Sequence, residues 1–204
     1  TTMGLTPREG LVMGTPAGDV DAGVLTYLAR ELGHSSGEID ALLNKRSGLL
    51  GLCGHADWRA VSAAADGGDP DARLARDVFV ERVRKYLGAF FVKLDGRVDA
   101  LVFSGGIGEN DAGLRAAVCR GLEPLGVAID ATRNAHGMTE VQSKLASVRT
   151  MVVPTDEELS IALQSVDAAG LHRAAPAASA AEASRARLSG ASVAAPRFAP
   201  PPRP

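Results

Sequence analysis

Cysteine is almost absent: Cys53 and Cys119 are the only two, far apart and in no CxxC spacing. That excludes a disulfide framework and makes a reducing compartment the expectation. The four histidines (34, 55, 136, 172) show neither H-x-x-H nor H-E-x-x-H spacing, so a histidine metal site has no support. No sign of charge dominates. Lys and Arg number 22 against 24 Asp and Glu, net −2, which argues against a broad basic nucleic-acid surface. No apolar run approaches the roughly 18 residues of a membrane-spanning helix. No basic-then-apolar stretch marks a signal peptide near the Thr-Thr-Met start, which reads as that of a cut fragment. What is present is the composition of a soluble globular chain, 46% hydrophobic and 23% charged, at 204 residues enough for one full domain.

Composition changes near residue 170. Residues 171–204 hold 12 Ala, 6 Pro and 5 Arg with a single Glu. Large apolar groups are too few there to offset the entropy of ordering, which predicts a disordered extension. The first 170 residues have an α/β rhythm. Val24, Leu25, Leu28 and Leu32 share a helical face that Gly33 ends. Ser35-x-x-Glu38 is a capping box opening a helix through Ile39, Leu42 and Leu43, with Gly48 closing it. Residues 48–59 read as a Gly-rich turn. A long helix is expected from Asp71 to Leu94, with Leu74, Val78, Val83, Leu87, Phe90, Phe91 and Leu94 as its buried stripe. Two strand–turn–helix units follow: Val98–Phe103 with a turn at Ser104–Asn110, and Val148–Val153 with a turn at Pro154-Thr155. Each places polar residues at a strand's C-terminal end, where open α/β sheets bind ligands.

Three clusters have chemical potential. In Ser104-Gly-Gly-Ile-Gly-Glu-Asn110, three glycines in four positions let backbone approach a ligand closely. A following helix would aim its N–H groups at a phosphate or a nucleotide sugar. The segment is neither a Walker A loop nor a full G-x-G-x-x-G fingerprint, and a purely structural turn is the alternative. Asp57-Trp58-Arg59 offers a ring and a guanidinium to a base and a carboxylate to a ribose; the alternative is a helix capped by Asp57. Asp156-Glu157-Glu158 offers carboxylates to Mg²⁺ held against phosphates, or simply acidic groups suited to a helix N-terminus.

In order, Met3-Gly-Leu-Thr-Pro7, Glu9-Gly-Leu11, Met13-Gly-Thr15, Gly18-Asp19-Val-Asp21, Asn44–Gly51, Asp57-Trp-Arg59, Phe103–Asn110 and Pro154–Leu159 resemble the C-terminal half of the acetate kinases, over about residues 1–166. The resemblance implies a ribonuclease H-like domain of the sugar kinase/Hsp70/actin superfamily at 1–170. It also implies reversible phosphoryl transfer between ATP and acetate, giving ADP and acetyl phosphate. By position it gives Asp57, Trp58 and Arg59 to adenosine, Gly105, Gly106, Ile107, Gly108, Glu109 and Asn110 to the ribose and phosphates, and Glu157 to Mg²⁺. A homodimer and a cytoplasmic location are the family expectation, with no nucleic acid or membrane partner.

Two departures bear on chemistry. The family's Met-Gly-Thr is followed by an Arg that stabilises the phosphoryl group in flight; Pro16 stands there and offers neither charge nor donor. Phosphoryl-transfer arginines are worth about 10³–10⁵ in rate. Asp156 also replaces the family's usual Asn. The family's first domain, with its acetate-binding and further catalytic residues, has no counterpart in these 204 residues. The expectation is therefore nucleotide binding with no assignable catalytic residue and negligible turnover. The alternatives are a non-catalytic nucleotide- or partner-binding remnant, or a propionate or butyrate kinase fragment.

Overall fold

The computed structural model describes residues 1–170; the extension expected to be disordered, 171–204, lies outside the described residues. The chain divides into two units, Thr1–Thr155 and one beginning at Asp156.

In the first unit, Asp21 accepts from the Gly23 N–H at 2.7 Å and caps α1 (Ala22–Arg30). None of α1's residues is buried, and it ends before Leu32. The capping box forms as expected. The Glu38 N–H reaches Ser35 Oγ at 3.3 Å and the Ser35 N–H reaches Glu38 Oε2 at 2.8 Å, opening α2 (Ser36–Lys45).

Gly48 does not close α2; it opens α3 (Gly48–Cys53), inside the segment expected to be a turn. The cause is tertiary. The Met13 carbonyl accepts from the Leu49 N–H and the Gly14 carbonyl from the Leu50 N–H, both at 2.9 Å, so a distant loop satisfies donors that a local cap would otherwise take. Gly48 has φ +62°, and a Cβ there would lie 2.3 Å from the Met13 carbonyl oxygen. Only glycine fits.

Asp57 caps α4 (Trp58–Asp66). Asp69 accepts from the N–H groups of Asp71 and Ala72 and, with Pro70 at the first position, opens α5 (Pro70–Lys93). The buried stripe of α5 differs from the expected one. Leu74 and Leu94 are about half exposed, while Ala72 and Ala75 are fully buried and Phe79, Val83, Leu87 and Phe91 complete the face. Small residues thus take fully buried places on α5, and a stripe drawn through large side chains alone misses them.

The two expected strands form, each slightly shorter: β1 (Ala100–Phe103) and, after three further helices, β2 (Arg149–Val152). They pair in parallel, Ala100 opposite Arg149 through Phe103 opposite Val152. Between them lie α6 (Gly105–Asn110), α7 (Ala112–Cys119), a 3₁₀ turn at Glu123–Leu125 and α8 (Ala131–Ala135), the kind of crossover that parallel strands require. The glycine-rich turn is thus itself a short helix. The core gathers Leu49, Trp58, Val61, Phe91, Phe103 and Val118 into one cluster. Both cysteines are free thiols, and burial pushes that of Cys119 up to about 12.

In the second unit Asp156 accepts from the Leu159 N–H at 2.8 Å and caps α9 (Glu157–Ala168). Its acidic first turn is as expected. Among the described residues no helix is long and apolar enough to cross a membrane.

Candidate functional site

The segments at 57–59 and 105–110, distant in sequence, meet in space. They face one another across a cleft of about 770 Å³ lined by Asp57, Trp58, Arg59, Ser62, Gly106, Ile107, Asn110 and Asp111. That volume suits a small organic ligand. One wall is the first turn of α4 and the other is α6.

On the α4 wall, Asp57 does two jobs. It caps the helix and holds Arg59 bidentately, Nη2 to Oδ2 at 2.6 Å and Nε to Oδ1 at 3.1 Å. This pairing lowers the Asp57 carboxyl to about 2. Both groups remain largely exposed. Trp58 is 7% exposed, with its ring 4.7 Å, centroid to centroid, from Phe79. Its Nε1–H donates to Asp111 Oδ2 at 2.6 Å. It is a wall of the cleft and part of the core at once.

The α6 wall is built by polar bonds behind it. Glu109 Oε1 accepts from the Gly105 N–H (2.7 Å), the Thr155 N–H (2.9 Å) and the Thr155 hydroxyl (3.0 Å), and these donors, Thr155 first, hold its carboxyl below the usual range. The Gly105 N–H is therefore engaged within the chain. Arg115, 2% exposed, donates from Nη1 to the carbonyls of Gly108 and Glu109, both at 2.8 Å. Its Nε and Nη2 reach the side-chain and main-chain oxygens of Asn134 at 2.7 and 3.0 Å. A buried cation thus sits at the carbonyl end of α6, where the backbone dipoles favour it.

Gly105, with φ +72°, needs glycine for its conformation. Gly106 does not: its φ is ordinary, and a Cβ there would meet no atom within 4 Å. Nothing among the described residues calls for glycine at 106, yet the residue faces the cleft. Gly108 packs its Cα face on Phe103, where a Cβ would sit at 3.4 Å.

Of the residues expected to bind a ligand, Asp57, Trp58, Arg59, Gly106, Ile107 and Asn110 line the cleft. Gly105, Gly108 and Glu109 brace it instead. Glu157 lies in the second unit, exposed in the first turn of α9. Among the described residues no three His, Cys, Asp or Glu side chains converge on a cation site. Pro16 sits in the loop that clamps α3, and its carbonyl accepts from the Met13 N–H. This loop abuts the approach to α4, since a Cβ on Gly14 would lie 2.6 Å from the Ala56 carbonyl. Sequence reasoning missed Ser62 and Asp111 in the lining and Arg115 behind it. The one signal available was an arginine in the otherwise apolar run Ala-Gly-Leu-Arg-Ala-Ala-Val-Cys.

The model of the acetokinase family matches residues 1–163. The acetate kinase of Streptomyces griseus is 53% identical over 167 residues, covering 80% of this chain and 40% of its own length. That of Desulfovibrio desulfuricans is 46% identical over 173 residues, 83% of this chain and 43% of its own. Among solved structures, Porphyromonas gingivalis acetate kinase superposes with a TM-score of 0.75 at 42% identity, over 81% of this chain and 42% of that one. A Francisella tularensis propionate kinase does so at 0.75 and 46%, over 79% and 41%. The chain spans about two fifths of the length of the curated relatives it matches. With the cleft segments inside the matched span, this chain belongs to the acetokinase family.

Proposed function

We propose that this chain is the nucleotide-binding half of an acetate kinase, a ribonuclease H-like domain over residues 1–170 that holds ADP or ATP in the cleft between α4 and α6. The observation that carries the reading is Gly106: a glycine facing an open cleft, with no conformational or packing need for it, fits a ligand pressed against bare backbone. Asp57 and Arg59 supply exposed polar groups for the adenosine, Ile107 an apolar contact, and Asn110 an amide at the rim.

For Mg²⁺ the reading takes Glu157, the position that the family resemblance gives. Within its own unit Glu157 is an exposed carboxylate in the first turn of α9, an oxygen donor of the kind that Mg²⁺ accepts; Asp156 beside it is engaged as the helix cap, and Glu158 is exposed as well. When bound, Mg²⁺ neutralises charge on the phosphoryl oxygens. The chain's own contribution is to bind and orient the nucleotide. Pro16 presents only a carbonyl, already accepting from Met13, so position 16 adds no cation to stabilise a phosphoryl group in transit. In a complete enzyme the acceptor would be acetate, with propionate as the variant that the Francisella relative suggests, and the assembly a cytoplasmic homodimer.

Calorimetry with Mg·ADP tests the reading directly. Saturable one-to-one binding is expected, with acetyl phosphate formation below about 1% of a full-length acetate kinase, since loss of the arginine alone removes at least about 10³ in rate. Absence of binding at millimolar ADP overturns the nucleotide assignment. Turnover above that threshold overturns the account of Pro16.

A further inference from the structure

Asp111 stands where three elements meet. Its N–H closes α6 on the Ile107 carbonyl at 3.0 Å, and its Oδ1 caps α7 by accepting from the Leu114 N–H at 2.8 Å. Its Oδ2 accepts from Trp58 Nε1 at 2.6 Å and from Ser62 Oγ at 3.3 Å. The last two donors belong to α4, the opposite wall of the cleft. Side-chain bonds from α4 to the α6–α7 junction thus converge on this single carboxylate oxygen.

We infer that Asp111 is a positioning residue for the nucleotide, which acts through Trp58 by tethering the two walls of the cleft at their working separation. The inference rests on the nucleotide reading above. The apolar faces of Trp58 and Ile107 hold no fixed distance by themselves, because hydrophobic contact is non-directional. A short charge-assisted bond fixes both distance and direction. Trp58 also packs on Phe79 in α5, so the tether ties the α6 wall to the rigid α4–α5 pair. A ligand then meets a cleft already at the right width, and its affinity is not diminished by ordering the walls.

The test is a double-mutant cycle on the full chain. Asp111→Asn keeps a good helix cap for α7 but removes the charge from the tether. Trp58→Phe keeps an aromatic ring against Phe79 but removes the donor. Each single change is expected to weaken Mg·ADP binding about tenfold, the scale of a lost hydrogen bond to a charged group. The double variant should be no weaker than the worse single one. Trp58 is the only tryptophan, so the single indole N–H resonance reads the tether independently. It should be protected from exchange in the unsubstituted chain and lose protection in Asp111→Asn. If Asp111 serves only as the cap of α7, the two changes act additively or Asp111→Asn leaves affinity unchanged, and the tether is refuted while nucleotide binding stands. If the unsubstituted chain binds no ADP, the nucleotide reading fails, and the positioning role with it.

Discussion

Consider replacing Arg115 by methionine, which keeps much of the side chain's length and apolar stem but removes the guanidinium. Four hydrogen bonds are lost at once, to the carbonyls of Gly108, Glu109 and Asn134 and to the Asn134 side-chain oxygen; the Asn134 carbonyl keeps the Gly137 N–H at 3.2 Å. A buried acceptor left without a partner costs about 1–3 kcal/mol. Removing a desolvated cation returns part of that, and desolvation does lower the Arg115 pKa. Backbone carbonyls at a helix end can also recover some bonding to water. The balance is a loss of about 3–5 kcal/mol. For a chain of this size that lowers Tm by about 10 °C, at some 2–4 °C per kcal/mol. Urea unfolding followed by circular dichroism measures the loss. The Asn134 side chain accepts one of the four bonds and separately donates to the Ala112 carbonyl at 2.8 Å, so Asn134→Ala should destabilise by about 1–2 kcal/mol alone and by less in the Arg115→Met background, where the shared bond is already gone. A loss below about 1 kcal/mol for Arg115→Met, or full additivity with Asn134→Ala, would show that the buried guanidinium does not organise α6 and α8.

Three further outcomes are expected. Gly106→Ala should leave stability unchanged or raise it by about 0.5–1 kcal/mol, since the added methyl meets no protein atom and alanine favours helix. The same change should weaken Mg·ADP binding measured by calorimetry; unchanged affinity would remove the main support for a ligand at that wall. Thr150 is fully buried and its hydroxyl has no hydrogen-bond partner among the described residues. Thr150→Val should therefore be neutral or stabilising by about 1 kcal/mol in urea unfolding, and a clear destabilisation would reveal a partner for that hydroxyl. Asp19 accepts from the Gly10 N–H, Tyr86 Oη, Lys85 Nζ and Arg82 Nη1 at 2.7–3.1 Å, and these donors, Lys85 first, lower its carboxyl to about 2. A depressed folded-state value means stability present above the unfolded pKa near 4 and lost as pH falls from about 4 toward 2. Discounted for partial exposure, the contribution is about 1–2 kcal/mol. Asp19→Asn should remove it and flatten that part of the stability–pH curve; an unchanged slope would assign acid unfolding to other carboxylates.

The legible parts of this fold are those written in local chemistry. The Ser35/Glu38 box, the long helix α5 to within a residue at each end, both short strands and the acidic opening of α9 all stand where residue patterns place them, because each depends on neighbours within a turn or two. What escaped was tertiary. Helix α3 has its N-terminal donors answered by a loop more than thirty residues earlier, and no window around Gly48 contains that partner. The α5 stripe was drawn through large side chains, although alanines 72 and 75 are among its fully buried positions. At the cleft, the glycine and Asp-Trp-Arg segments announced themselves by composition. Their meeting, the burial of Trp58, and the bracing by Arg115 and Asp111 depend on bonds across 19 to 53 residues of chain.

The β1–β2 pairing has a kinetic corollary. The strands are parallel and adjacent only after the whole α6–α8 crossover has folded back, so no hairpin can template them and the closure entropy of a long loop opposes them until the crossover docks. The α4–α5 pair is by contrast local and free to form early. During synthesis, a ribosome-bound chain that stops short of Arg149 holds β1 with no strand beside it and α6 without the Thr155 anchor. The bracing of α6 by Thr155 therefore arrives only with the last few residues of the first unit, well after most of its helical mass.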